Sequence, residues 1–272
     1  MKRRLRRSVL IVSLVALLCG GNAVSAVAAS PATRAYVALG NSLAAGFGAS
    51  DPARTAYVPL LFRYFSQPET ENVRLLRNLS KPGETSDSFI ASQLGLAVIA
   101  IEDPSTDTRV VTLDIGGNDM LYLTAAEPCT SSPGGEACQT LISLQLQKFA
   151  LNYQIILATL QASLAHDQGK ETLFVMTYYN PYGGTGNLYE PYADLILLGS
   201  DLVIDCSAAP GDPRAGLNDL IACIGADYGA VVADVYPAFD DHAPQLTHIG
   251  EGDIHPNDAG HALIAQTFIA AD

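Results

Sequence analysis

Short and almost continuous apolar runs alternate along the chain with longer segments in which apolar residues recur every three or four positions. A continuous apolar run of roughly four to eight residues is typical of a strand that is buried on both faces. The pattern therefore predicts five strands, of which the first is a buried one. They are predicted at Ala35–Leu39, Val73–Asn78, Arg109–Ile115, Thr172–Thr177 and Ala230–Val235.

The segments between these runs carry the periodicity of amphipathic helices. In the longest one, apolar residues from Ile142 to Leu164 recur at steps of three and four, which places them on one helix face. Other helices are predicted at residues 57–65, 86–101 and 257–270. Strands that alternate with helices form a parallel sheet covered by helices on both faces. We therefore expect one three-layer α/β/α sandwich with a parallel sheet of about five strands.

The beginning of the chain has the three parts of a secretory signal peptide. Five cations lie between Lys2 and Arg7, an apolar run extends from Val9 to Leu18, and small residues lead to a cleavage site after Ala26 or Ala28. The apolar run is short for a membrane span, so we expect cleavage rather than an uncleaved anchor. The predicted organisation is a signal peptide at 1–28 and one secreted domain at 29–272.

The chain is acidic, with 28 Asp and Glu residues against 15 Lys and Arg residues. Removal of the five leader cations would take the net charge from −13 to −18. A protein that binds nucleic acid needs a basic surface to meet the phosphates, and an acidic one is repelled by anionic lipid. We therefore expect a monomer that neither binds nucleic acid nor inserts stably into a membrane.

Four cysteines follow the leader, namely Cys129, Cys138, Cys206 and Cys223. Four cysteines can pair in three ways. The local pairing, Cys129 with Cys138 and Cys206 with Cys223, closes two loops rich in Gly, Pro and Ser, and it suits an oxidising compartment. A zinc site is the alternative, but no two cysteines have the C-x-x-C spacing. We expect two local disulfides and no metal.

Residues with catalytic chemistry follow the predicted strands. Ser42 comes directly after the first strand, Gly83 after the second and Asn118 after the third, and His255 precedes the last helix. The carboxyl ends of parallel strands meet at one edge of a sheet, where the active sites of such folds lie. A hydroxyl, flexible glycine backbone, an amide and an imidazole supply the nucleophile, oxyanion donors and general base of acyl transfer.

These segments resemble the SGNH hydrolases, also called GDSL-type esterases and lipases. The resemblance extends from Tyr36 to the last helix, and its strongest blocks are Gly-Gly-Asn-Asp and Asp-Ile-His-Pro-Asn. It implies a flavodoxin-like fold with Ser42 as nucleophile and His255 as base. It also implies an oxyanion hole made by the N–H groups of Ser42 and Gly83 and the side-chain amide of Asn118, with no cofactor.

The sequence departs from the family pattern in two places. Asn41 stands where the first block usually has aspartate. The catalytic aspartate usually lies three residues before the histidine, but Gly252 occupies that position, while Asp253 lies two residues before His255 and Glu251 four. Asp253 is our candidate for the third catalytic residue. A Ser-His dyad that uses a main-chain carbonyl is the alternative.

The resulting hypothesis is a secreted serine esterase or lipase that acts on a small-molecule or lipid ester. Two other hypotheses stay open: an esterase that removes O-acetyl groups from polysaccharides, and a secreted binding module with the same fold but no turnover. Five tyrosines cluster after the fourth strand, where they form either a pocket wall or ordinary loop packing. They are Tyr178, Tyr179, Tyr182, Tyr189 and Tyr192.

Overall fold

A computed structural model describes residues 32–165 and 171–272 of the chain. The predicted signal peptide at 1–28 and its cleavage site lie outside these residues. No helix in the two described ranges combines the length and apolar character needed to cross a membrane.

A five-stranded, wholly parallel sheet forms the centre of the fold. Its strand order is β2-β1-β3-β4-β5. The central strands are apolar on both faces, so they are buried between two helical layers. The strands are β1 (Thr33–Gly40), β2 (Leu75–Asn78), β3 (Thr106–Asp114), β4 (Thr172–Met176) and β5 (Val231–Ala233). The predicted parallel sheet of about five strands is confirmed.

Helices follow the strands in the order that the alternating pattern predicts. The described residues contain α1 (Ser42–Ala45), α2 (Tyr57–Phe65), α3 (Ser86–Ser88), α4 (Leu94–Ile101), α5 (Gly117–Thr124), α6 (Glu136–Leu164), α7 (Glu190–Leu198), α8 (Leu217–Asp227), α9 (Tyr236–Phe239), α10 (Ala243–Leu246) and α11 (Asp258–Ala271). A π-helical turn at Phe89–Gln93 joins α3 to α4.

The helices form one layer on each face of the sheet. Helix α6 contacts both α4 and α8, and α4 and α8 contact the strands. Helices α2 and α11 contact each other and lie against β1 and β5. In α6, Phe149, Tyr153, Ile156 and Leu160 are fully or almost fully buried, as its predicted apolar stripe requires. The three-layer α/β/α arrangement is confirmed.

The hydrophobic pattern predicted no element for helix α5, which follows the third strand. Gly116 has a left-handed φ of 121° and turns the chain at the end of β3, and the helix begins at the next residue. The glycine pair ends the strand without preventing a helix. The pattern predicted no element for α7 or α8.

Both predicted disulfides are present. Cys129 and Cys138 have their Cα atoms 4.8 Å apart, and Cys206 and Cys223 have theirs 5.4 Å apart. The first bond joins the loop before α6 to the first turn of that helix, and the second joins a surface loop to α8. The four cysteines of the described residues are therefore joined in two covalent pairs.

Candidate active site

Ser42 lies at the carboxyl end of β1 and is the first residue of the short helix α1. Asn41 caps this helix, since its side-chain oxygen accepts a hydrogen bond of 3.0 Å from the backbone N–H of Leu43. The cap fixes the turn between strand and helix and so fixes the position of the serine. The first N–H groups of a helix have no acceptor within the helix, which leaves them available to an oxyanion.

A buried polar cluster lies beneath this turn. The backbone N–H of Asn41 and the hydroxyl of Tyr57 each donate a 2.7 Å hydrogen bond to the carboxylate of Asp114, the last residue of β3. Burial raises the pKa of Asp114 to about 7, although these hydrogen bonds partly oppose the rise. Gly40 must be glycine, because a Cβ there would lie 1.9 Å from a carboxylate oxygen of Asp114.

His255 lies between Ser42 and Asp253. The Ser42 hydroxyl is 2.9 Å from Nε2 of His255, and Nδ1 of His255 is 2.5 Å from a carboxylate oxygen of Asp253. The same carboxylate oxygen accepts the backbone N–H of His255 at 3.0 Å. When Nδ1–H donates to Asp253, Nε2 carries the lone pair that accepts the serine proton.

The surroundings of Asp253 favour the ionised form of its carboxylate. Partial burial acts to raise its pKa, but hydrogen bonds from the backbone N–H and imidazole of His255 outweigh that effect and lower the pKa below its usual value. The Asp253 side chain is 51% exposed and the His255 side chain 23% exposed. Water therefore screens the charge of Asp253 more than it would screen a buried carboxylate.

The loop before His255 determines which acidic residue reaches the imidazole. A 3₁₀ turn at Ile249–Glu251 ends at Gly252, which has a left-handed φ of 83°. The Glu251 carboxylate lies 3.8 Å from Nδ1 of His248, so it faces a different histidine. The backbone of His248 closes the loop, since it donates to the carbonyl of His255 at 3.0 Å and accepts from Asp253 N–H at 3.2 Å.

Gly83 and Asn118 lie on the same rim as Ser42. Gly83 has a left-handed φ of 79°, and a Cβ there would lie 3.0 Å from the Tyr122 hydroxyl. Asn118 is the second residue of α5, and one N–H of its amide donates to the carbonyl of Glu84 at 2.9 Å. An amide carries two N–H donors, so the second one is available to a ligand. The structure thus brings together all four predicted motifs.

One cavity of about 600 Å³ opens onto this rim. Ser42, Gly83, Asn118 and His255 all line it. The five tyrosines that cluster after the fourth strand line it as well, which is the pocket-wall alternative of the sequence analysis. They are Tyr178, Tyr179, Tyr182, Tyr189 and Tyr192.

The sequence of this chain matches the model of the GDSL-like lipase/acylhydrolase family over residues 38–263. The chain belongs to this family. The match includes every candidate site residue from Ser42 to His255, so the resemblance seen in the sequence is confirmed. A comparison with curated protein sequences finds no match.

Solved structures of similar fold include members named as lipases and as esterases. A lipase from a goat rumen metagenome has 18% identity and a TM-score of 0.59, with 88% of this chain and 97% of that chain covered. An extracellular lipase from Streptomyces rimosus has 20% identity and a TM-score of 0.57, with 89% and 100% covered. An acetylxylan esterase from Geobacillus stearothermophilus has 15% identity and a TM-score of 0.52, with 88% and 94% covered. At these identities the likeness is one of fold.

Two supporting residues of this GDSL-like hydrolase were not predicted from its sequence. Asp114 ends a strand and gave no signal beyond a polar residue at a strand end. Phe47 has its ring centroid 5.4 Å from that of His255 and is 47% exposed. Phe47 follows α1 by two residues. Its closeness to Ser42 in the sequence was the one sign that it could lie near the active site.

Proposed function

We propose that this GDSL-like hydrolase is a secreted serine esterase or lipase that works through an acyl-enzyme on Ser42. The observation that carries the proposal is the continuous relay from Ser42 Oγ to His255 Nε2 at 2.9 Å and from His255 Nδ1 to Asp253 at 2.5 Å. This relay has the donors and acceptors that activate a serine hydroxyl for attack.

The reaction has two halves. Ser42 Oγ attacks the ester carbonyl carbon while Nε2 of His255 takes the hydroxyl proton, and the tetrahedral intermediate then expels the alcohol, which receives that proton. Water next attacks the acyl-enzyme and gives its proton to Nε2. The second intermediate collapses to the free carboxylic acid and returns the proton to Ser42. Asp253 holds the imidazole in the required tautomer and stabilises its protonated form.

The negative charge that develops on the carbonyl oxygen needs hydrogen-bond donors around it. We assign this role to the backbone N–H groups of Ser42 and Gly83 and to the free N–H of the Asn118 amide. All three residues line the cavity beside Ser42. Donors that are already fixed in place stabilise the transition state without reorganisation.

Secretion is the second part of the proposal. It is supported by the leader predicted at residues 1–28, which would leave a mature domain at 29–272. The two disulfides and the fold shared with an extracellular lipase are consistent with an extracellular location. The proposed partner is a small-molecule or lipid ester met by a monomer, with no cofactor, no nucleic acid and no stable membrane insertion.

Substitution of the nucleophile tests the enzymatic assignment. Purified Ser42→Ala protein should lose hydrolysis of p-nitrophenyl acetate and covalent labelling by a fluorophosphonate probe, because no other hydroxyl occupies that position. Ser105→Ala is the matched control, since this exposed serine precedes β3 at the opposite end of the sheet and its hydroxyl bonds only to Asp103 among the described residues. It should keep both activities.

Labelling that persists in Ser42→Ala would refute the nucleophile assignment. A wild-type protein that hydrolyses no ester and is not labelled would favour the non-catalytic binding module instead.

A further inference from the structure

The cavity at Ser42 is much larger than an acetyl group requires. Its volume of about 600 Å³ lies in the range of pockets that enclose ligands of drug size, roughly 300–1,000 Å³. The catalytic groups occupy one part of its wall. Most of the remainder is formed by α5, by the first turns of α6, by α7 and by the loops that carry Cys129 and Tyr182.

Helix α5 gives the length of the cavity. Asn118, Leu121, Tyr122 and Thr124 of this helix, and Ala125 after it, all line the cavity. From residue 118 to residue 124 the helix rises about 9 Å at 1.5 Å per residue. A zigzag chain with C–C bonds of about 1.5 Å advances about 1.25 Å per bond, so roughly eight carbons extend that far.

The lining is mainly apolar and carries no carboxylate, ammonium or guanidinium group. Among the described residues no Asp, Glu, Lys or Arg lines the cavity. Leu121, Ile142, Ile196, Leu197 and Leu217 contribute aliphatic surface. The polar groups of the lining are uncharged, chiefly tyrosine hydroxyls, and a hydrocarbon chain gains from burial against the aliphatic side chains.

The disulfide Cys129–Cys138 forms part of the cavity wall near the C-terminal end of α5. Both cysteines line the cavity and are almost fully buried. The loop between them packs on α7, because a Cβ at Gly134 would lie 2.9 Å from the ring of Tyr192. The bond therefore holds the loop against the tyrosine wall. Neither cysteine of the other disulfide lines the cavity.

We propose that this cavity binds the acyl chain of fatty-acid esters of roughly eight carbons or more, and that the loop closed by Cys129–Cys138 is the specificity-determining wall at its far end. The proposal rests on the proposed esterase function. The acyl carbonyl lies at Ser42, the hydrocarbon chain follows α5, and the disulfide loop meets its terminal carbons.

A panel of p-nitrophenyl esters from acetate to dodecanoate, at monomeric concentrations, tests the acyl-chain assignment. Burial of one methylene contributes about fourfold, so burial of only half of the six methylenes added between acetate and octanoate gives a rise of roughly 60-fold in kcat/KM. Acetylated xylo-oligosaccharide is the comparison substrate and should be poorly hydrolysed. A flat or falling series with active acetate hydrolysis overturns this inference alone, whereas no Ser42-dependent hydrolysis of any ester overturns the proposed function.

Two variants test the wall. Ala125→Trp adds bulk at an exposed position at the far end of α5, and Cys129→Ser with Cys138→Ser releases the loop. Each should lower the dodecanoate-to-acetate ratio of kcat/KM at least tenfold. Cys206→Ser with Cys223→Ser is the matched control and should leave that ratio within twofold of the wild-type value. The placement of the wall would be refuted if neither Ala125→Trp nor the double variant at Cys129 and Cys138 changed this ratio. If the double variant fails to fold, Ala125→Trp still tests the placement.

Discussion

The function of Asp253 can be decided by a single substitution, Asp253→Asn. Its carboxylate oxygen accepts both Nδ1–H and the backbone N–H of His255, at 2.5 and 3.0 Å. Asparagine keeps the size of the side chain but can present an N–H to Nδ1. The imidazole would then carry its proton on Nε2, where it cannot accept the proton of Ser42.

The expected loss follows from two separate effects. In triads, the change from aspartate to asparagine costs about 10⁴ in kcat, which is about 5.4 kcal/mol at 1.36 kcal/mol for each factor of ten. The Asp253 side chain is 51% exposed, so water screens the charge interaction, while the tautomer effect is unaffected by exposure. We therefore expect kcat to fall by about 10³ to 10⁴. If a main-chain carbonyl orients the histidine, the loss should be roughly tenfold or less, because only a screened charge is removed.

The assay is kcat and kcat/KM on one p-nitrophenyl ester for Asp253→Asn and Glu251→Gln measured side by side. Glu251 is the matched control, because it lies in the same loop but its carboxylate faces His248 at 3.8 Å. Its substitution should change kcat less than threefold. A loss of tenfold or less in Asp253→Asn would refute the triad, and a large loss confined to Glu251→Gln would move the acid to that residue.

Two further substitutions test the groups around the nucleophile. Asn118→Ala should lower kcat by about 10² to 10³ with little change in the thermal midpoint, since one oxyanion donor is lost, and a kcat within a few-fold of wild type would exclude that role. Asp114 has a folded-state pKa of about 7, against about 4 in an unfolded chain, so between these pH values the folded protein holds the extra proton and its stability falls as the pH rises. Between pH 5 and pH 8 this titration lowers the free energy of unfolding by roughly 3 kcal/mol, and Asp114→Asn should remove that pH dependence in urea unfolding measured at these two pH values. An unchanged pH slope in that variant would contradict the assigned titration.

Much of the fold could be predicted because its central strands, β1, β3 and β4, contain short apolar runs that are largely buried. Parallel strands also bring their carboxyl ends to one edge, so Ser42, Gly83 and Asn118 could be placed on one rim without knowledge of any contact. Helix α5 could not be predicted in the same way. A glycine pair signals an interruption, and only the φ of 121° at Gly116 shows that the interruption is a single turn before a helix.

The third catalytic residue could not be settled by spacing along the chain. Whether a carboxylate two residues before His255 reaches Nδ1 depends on the conformation of the loop. The 3₁₀ turn at Ile249–Glu251 and the left-handed backbone of Gly252 determine that conformation together. Glycine adopts a left-handed φ without the steric cost that other residues incur. Gly252 thus takes the place of the usual aspartate, while its left-handed backbone contributes to placing Asp253 against the imidazole.

Contacts with residues distant in the sequence explain why position 41 is asparagine rather than aspartate. Its backbone N–H binds Asp114, which is 73 positions away in the sequence, and its side-chain amide donates to the hydroxyl of Tyr178 at 2.7 Å, 137 positions away. Asn41 and Asp114 are both buried, and the pKa of Asp114 is already raised to about 7. An aspartate at 41 would add a second buried carboxylate beside the first, and like charges in a buried site disfavour each other's ionised form. A neutral amide satisfies the same cap on α1 and gives Tyr178 a donor without that repulsion. The departure from the family motif is thus matched to the residues that surround the nucleophile in this chain.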